Sequence, residues 1–138
     1  MTLEMTDFSE NKVIDVFFRG QSYSAPTTVY LALFVSATSD GGGGIEVTGG
    51  SYSRRSITLA TPTSGETHNT NTITFASLPA VTVTHAAIYS ATSGGTMLWH
   101  GALPSSKTVP AGQSFVVNPE DLVLGFTTTS SATVYLRN

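Results

Sequence analysis

The amino-acid sequence predicts an all-β fold, a jelly-roll-like antiparallel β-sandwich with one short N-terminal α-helix. Three observations predict it. From residue 27 onward, eight or nine short runs of β-branched and aromatic residues follow one another, broken by Gly, Pro, Asn and Ser clusters. Only the segment before Gly20 shows helical rather than alternating periodicity. The chain has 138 residues, 40% of them hydrophobic, and no cysteine, so it can bury a core without disulfides or a structural metal. All of 1–138 reads as a single sandwich domain, with an N-terminal extension at 1–6, a helix at 7–20 and the sandwich at 27–137.

The helix comes first. Asp7 is positioned to cap it, Glu10 follows three residues on in a capping-box arrangement, and Gly20 stands where a left-handed C-terminal cap is usual. Val13, Ile14, Val16, Phe17 and Phe18 share one side, and Lys12, Asp15 and Arg19 the other. The apolar arc is about 200° wide, broader than one packing face requires. Two readings stand: a helix held between its own sandwich and a neighbouring subunit, or a helix sunk in its own core.

Strands are expected at TVYLALFVS (28–36), IEVT (45–48), YSRRSITLA (52–60), NTITFAS (71–77) and TVTHAAIYS (82–90). They continue at TMLWHGAL (96–103), SFVVN (114–118), DLVLGF (121–126) and ATVYLR (132–137). SATSDGGGGIEVTGG (36–50) reads as a glycine-dense loop, and PTSGETHNTN (62–71) as a polar loop with an exposed His68.

The hairpin around Gly94-Gly95 contains the single tryptophan and one of three histidines. A two-residue turn there would set Tyr89 opposite His100. His85, Ala87 and Tyr89 would then share a face with Leu98, His100 and Ala102. The other face, with Met97, Trp99, Gly101 and Leu103 beside Ala86 and Ile88, would be the core side. In that register His85 and His100 lie about 13 Å apart along the ladder. Neither strand offers a third ligand, so no metal is expected. His100 is expected to stack on Tyr89 or to bond to a neighbouring chain.

Catalytic motifs are absent. GGSYS (49–53) ends in Ser53 where a nucleophile elbow needs glycine, and GGGG (41–44) is followed by neither Lys-Ser/Thr nor a helix. Glu120 and Asp121 are adjacent, so in a strand they point to opposite faces. Asp40 and Glu46 flank the glycine run but match no calcium-loop spacing. The expectation is a protein that is not an enzyme and needs no cofactor. Charged residues make up 11% of the chain, with a net charge of -3, which gives no basic footprint for nucleic acid. Arg54-Arg55 reads as a solvated pair. VYLALFV (29–35) is too short to span a bilayer, and the acidic N-terminus with Glu4, Asp7 and Glu10 is unlike a signal peptide. Synthesis in the cytoplasm is therefore expected. So weakly charged a surface suits a protein packed against neighbours.

Four stretches carry a family likeness: ENKVIDVFFRG (10–20) with TTVYLALFVS (27–36), EVTGGSYSRRSITLA (46–60), and NTITFASLPAVTVTHAAIYSATSGGTMLWHGALPSSKTVPAGQSF (71–115). Through them the chain resembles a family of small tailed-phage virion proteins, often described as tail fibre proteins. Jelly-roll proteins of this general kind serve in other phages as head decoration or cement proteins. The resemblance implies a β-sandwich subunit, a homotrimer and a place in the virion, made in the host bacterium, with no catalytic residues to transfer. The leading expectation is a capsid decoration protein that trimerises and docks on the major capsid protein. Phe8, Phe17, Phe18 and Arg54 are its candidate interface residues. The alternative is a tail fibre or tail-associated module contacting tail proteins or host-surface glycan, with Tyr52 as the glycan contact. Met1 to Glu4 precede the family-like start at Met5. Segment 1–6 and loop 37–50 are both expected to be held by other subunits.

Overall fold

In a computed structural model, which describes residues 2–126, ten elements follow the chain in order. β1 is Thr2–Met5, α1 Asp7–Phe18, β2 Val29–Phe34, β3 Arg55–Ile57 and β4 Glu66–His68. β5 is Ile73–Phe75, β6 Val81–Tyr89, β7 Met97–Val109, β8 Phe115–Val117 and β9 Val123–Gly125. The strand expected at 132–137 lies outside the described residues. Seven strands form one sheet in the order β3-β2-β6-β7-β1-β9-β4, and β5-β8 form a second. Leu31, Leu33, Val83 and Ile88 of the large sheet meet Ile73, Phe75, Phe115 and Val117 of the small one in a buried core. This is the expected β-sandwich with one N-terminal helix. The pairings are antiparallel, apart from β1 and β9, which run parallel.

β1 corrects the reading of the N-terminus. Met5 pairs with Trp99 and Glu4 with His100 on β7, while Leu3 pairs with Leu124 on β9. Leu3 is buried in the core. The segment is thus held inside its own sheet. A second correction concerns 62–71. The polar stretch turns at Ser64-Gly65 and contributes β4, paired with β9, so His68 is half-buried.

The helix begins one residue earlier than its acidic residues suggest. Thr6 is the N-cap: its Oγ1 accepts from the Ser9 N–H and donates to the Met97 carbonyl at 2.8 Å. Thr6 prevails over Asp7 because it is buried against β7 and Asp7 is exposed. Gly20, at φ 64°, ends the helix as expected. α1 packs on β1 and β7, yet none of its residues is buried. The reading of a helix sunk in its own core is therefore excluded.

The β6–β7 hairpin is looser at its tip than a two-residue turn. Ser90 and Thr96 close it by mutual hydrogen bonds, His100 faces Ala87 instead of Tyr89, and Ile88 faces Trp99. A shift of two positions keeps the faces, because strand side chains alternate with period two. A bulge between Ile88 and Tyr89 then moves Met97 to the opposite face, where it packs with Ala32, Phe34 and Ala87.

The glycine run lies over that face. A side chain at Gly44 (φ 119°) would stand 2.9 Å from the Phe34 ring. The loop is tied down by its own chain. The Val35 N–H donates to the Ile45 carbonyl, and the Asp7 N–H donates to the Asp40 carbonyl at 3.0 Å. Among the described residues no helix is long and apolar enough to cross a membrane.

Candidate functional site

Three places bring functional side chains together. The first is α1 and the groove beside it. Ile14, Val16, Phe17 and Phe18 are exposed, with Phe17 at 74% and Phe18 at 80%. The helix, the segment after it and β7 enclose an open groove of about 460 Å³, walled by Phe8, Val13, Val16, Phe17, Tyr23 and Phe126. Phe8 meets Tyr23 edge-on at 6.1 Å, and Lys12 Nζ lies 5.6 Å from the Phe8 ring. Trp99 is half-buried at the groove floor, packed on the core and edge-on to Phe126 at 5.9 Å. It is therefore part core, as expected, and part groove.

The second is a network around Glu46. Arg54 grips the Glu46 carboxylate with Nε at 3.0 Å and Nη2 at 2.9 Å. Its Nη1 donates to the Ala91 and Gly94 carbonyls, and the guanidinium sits 3.6 Å over the Tyr89 ring. The Arg54 side chain is 8% exposed. The Tyr52 hydroxyl donates to Glu46 at 2.6 Å and accepts from the Leu33 N–H, while its ring stacks on Phe75. Arg54 thus clamps the hairpin tip from within and does not stand on an outer strand face. Tyr52 belongs to the core edge and presents no free ring to a sugar. Glu46 serves this network, so it makes no joint site with Asp40.

The third centres on His100. Its imidazole is buried on the sheet face under the glycine loop. Nδ1 lies 2.8 Å from Thr38 Oγ1, and Nε2 lies 2.8 Å from Asp40 Oδ1 and 3.7 Å from Glu4 Oε1. The three ligand atoms of Glu4, Asp40 and His100 lie within 4.8 Å of one another. Neither expected role of His100, stacking on Tyr89 or bonding to a neighbouring chain, is the one it takes. The absence of a third ligand is also corrected: Glu4 arrives on β1 and Asp40 on the loop, neither being a hairpin residue. His85 contributes nothing here; its Nδ1 bonds to Thr84.

A family model described as "Podophage GP4 fiber I protein gp80" matches residues 4–125. The chain belongs to this family. The match runs from within β1 to the end of β9 and includes the residues of the three places just described, Phe126 apart. It agrees with the resemblance carried by the sequence and makes the chain a phage virion structural protein of a fibre family. No curated protein matches the chain.

Proposed function

We propose that this member of the gp80 fibre family is a non-enzymatic attachment subunit of the virion, self-associating and docking through the α1 face. The observation that carries the reading is a capped twelve-residue helix with no buried residue that holds Phe17 and Phe18 in solvent. Aromatic side chains carry roughly 150–250 Å² each, so the exposed fractions of Ile14, Val16, Phe17, Phe18, Tyr23 and Phe126 amount to on the order of 500 Å² of apolar surface. An exposed apolar area of that size matches the largest patch of a typical monomer, which is often functional, and a standard interface takes about 800 Å² from each partner. Phe8, Phe17 and Phe18 are the contacts; Arg54 and Tyr52 are not carried forward. The family's description as a fibre protein favours a tail-fibre position, and a trimer on the head shell is the competing placement.

Complementing a phage that lacks the protein with the Phe17→Ser/Phe18→Ser variant tests this. The variant is expected to fold, since neither ring is buried, and to be missing from purified virions. Incorporation at the wild-type copy number would sink the proposal. Counting wild-type copies on separated heads and tails decides the placement, with few copies on tails for a fibre and hundreds on heads for decoration.

A further inference from the structure

We infer that Glu4, Asp40 and His100 form a binding site for a first-row divalent cation of the Zn²⁺ or Mn²⁺ kind, which staples the glycine loop to the sheet. The site combines one fixed ligand with two adjustable ones. The imidazole is immobilised: its side chain is 6% exposed and its Nδ1 is held by Thr38. A partner on the second ring nitrogen is the usual support of a metal-binding histidine, because it sets the tautomer and the ring angle. In the tautomer that donates Nδ1–H to the Thr38 hydroxyl, the Nε2 lone pair faces the two carboxylates, and a cation between them would satisfy all three.

The spacing fits. Around a tetrahedral ion with bonds of about 2.0–2.1 Å, ligand atoms stand roughly 3.3 Å apart. The observed separations from Nε2, 2.8 Å to Asp40 and 3.7 Å to Glu4, bracket that value. Both carboxylate side chains are more than half exposed and free to adjust, while Glu4 is the direct cross-strand partner of His100.

Electrostatics points the same way. Four of the chain's nine acidic residues, Glu4, Asp7, Glu10 and Asp40, meet at this corner. Among the described residues no lysine or arginine forms an ion pair with any of them. Asp7, Glu10 and Asp40 make a second, all-oxygen set sharing Asp40. The nitrogen-containing set is favoured because it alone has a rigid, buried ligand, and imidazole with carboxylate suits first-row ions.

Binding is read on the full chain after chelator treatment, by calorimetric titration and thermal melting with Zn²⁺ and with Mn²⁺. One ion per chain is expected, with the melting point rising about 5–10 °C at a hundredfold excess over Kd. Glu4→Gln and Asp40→Asn, both at exposed side chains and therefore safe for folding, should each weaken binding at least tenfold. Thr38→Ala should weaken it about 10–100-fold, and His68→Ala should leave it unchanged. Absence of binding at millimolar metal overturns the inference, as does binding that survives the first two variants but is lost with His68. A preference for Ca²⁺ that depends on Asp7 and Glu10 overturns it too, by moving the ion to the all-oxygen set.

Discussion

The hydroxyl of Tyr52 shows how much one residue of the family-like stretch EVTGGSYSRR holds together. It links the backbone of β2, through the Leu33 N–H, to the Glu46 carboxylate that Arg54 grips. Gly50 allows the stretch to turn there: at φ 54° a side chain on it would meet the Ser77 carbonyl at 2.7 Å. Burial, reinforced by the bond to Glu46, pushes the Tyr52 phenol well above its ordinary range. Tyr89 is raised in the same direction, mainly by burial. The consequence for stability has a definite sign. Above about pH 10 tyrosines of the unfolded chain lose their protons while native Tyr52 keeps its own, so the native state binds more protons and stability falls. The stability is intact below that pH and declines above it by up to about 1.4 kcal/mol per pH unit for Tyr52. Urea denaturation at pH 8, 10 and 11 should show this decline. Tyr52→Phe should flatten it by about one proton while lowering stability at pH 8 by about 1–2 kcal/mol. An unchanged slope in the variant would mean that Tyr52 is not the responsible group.

At the scale of elements, the helix was legible in the sequence and β1 was not, for physical reasons. A helix announces itself locally through caps and a 3.6-residue period, and both are present between Thr6 and Gly20. TLEM is four residues long, and the partners that make it a strand lie on β7 and β9, some 95 and 120 positions away. The same distance hid the cation-site geometry, because Asp40 and Glu4 reach His100 only once the sheet has formed. The hairpin register was off by two because its tip runs from Ser90 to Thr96, with Arg54 bonded to its carbonyls, and no rule of local turn chemistry includes such a clamp. β1 carries a prediction of its own. Leu3 is 3% exposed at the junction of two pairings, so Leu3→Ala should cost about 2–4 kcal/mol in urea denaturation. Deleting residues 1–5 should lower stability further, because it removes the strand that joins β7 to β9. A loss below 1 kcal/mol for Leu3→Ala would show that β1 does not belong to the cooperative fold.

For the whole molecule, the low charge and the bare helix face are two aspects of one property. A chain with only 11% charged residues has a surface weakly protected against association. α1 then concentrates the apolar excess on one side, so association through that side has a defined geometry instead of being nonspecific. The interior needs nothing from α1, since the core clusters are built from β-strand and loop residues alone. Folding and assembly are thereby separable, and a substitution on the helix should change the second without the first. If copies pair or trimerise through the α1 face, mass action makes the melting point rise with protein concentration, because only the folded chain associates. Light scattering on eluting protein between 1 and 100 µM should show a mass above 14.4 kDa that grows with concentration towards three chains. The Phe17→Ser/Phe18→Ser variant should stay at one chain, with a melting point independent of concentration and equal to that of dilute wild type. A wild-type chain that remains monomeric at 100 µM would remove self-association from the proposal and leave the helix face to a different virion protein. A variant that melts well below dilute wild type would instead mean that Phe17 and Phe18 hold the fold together.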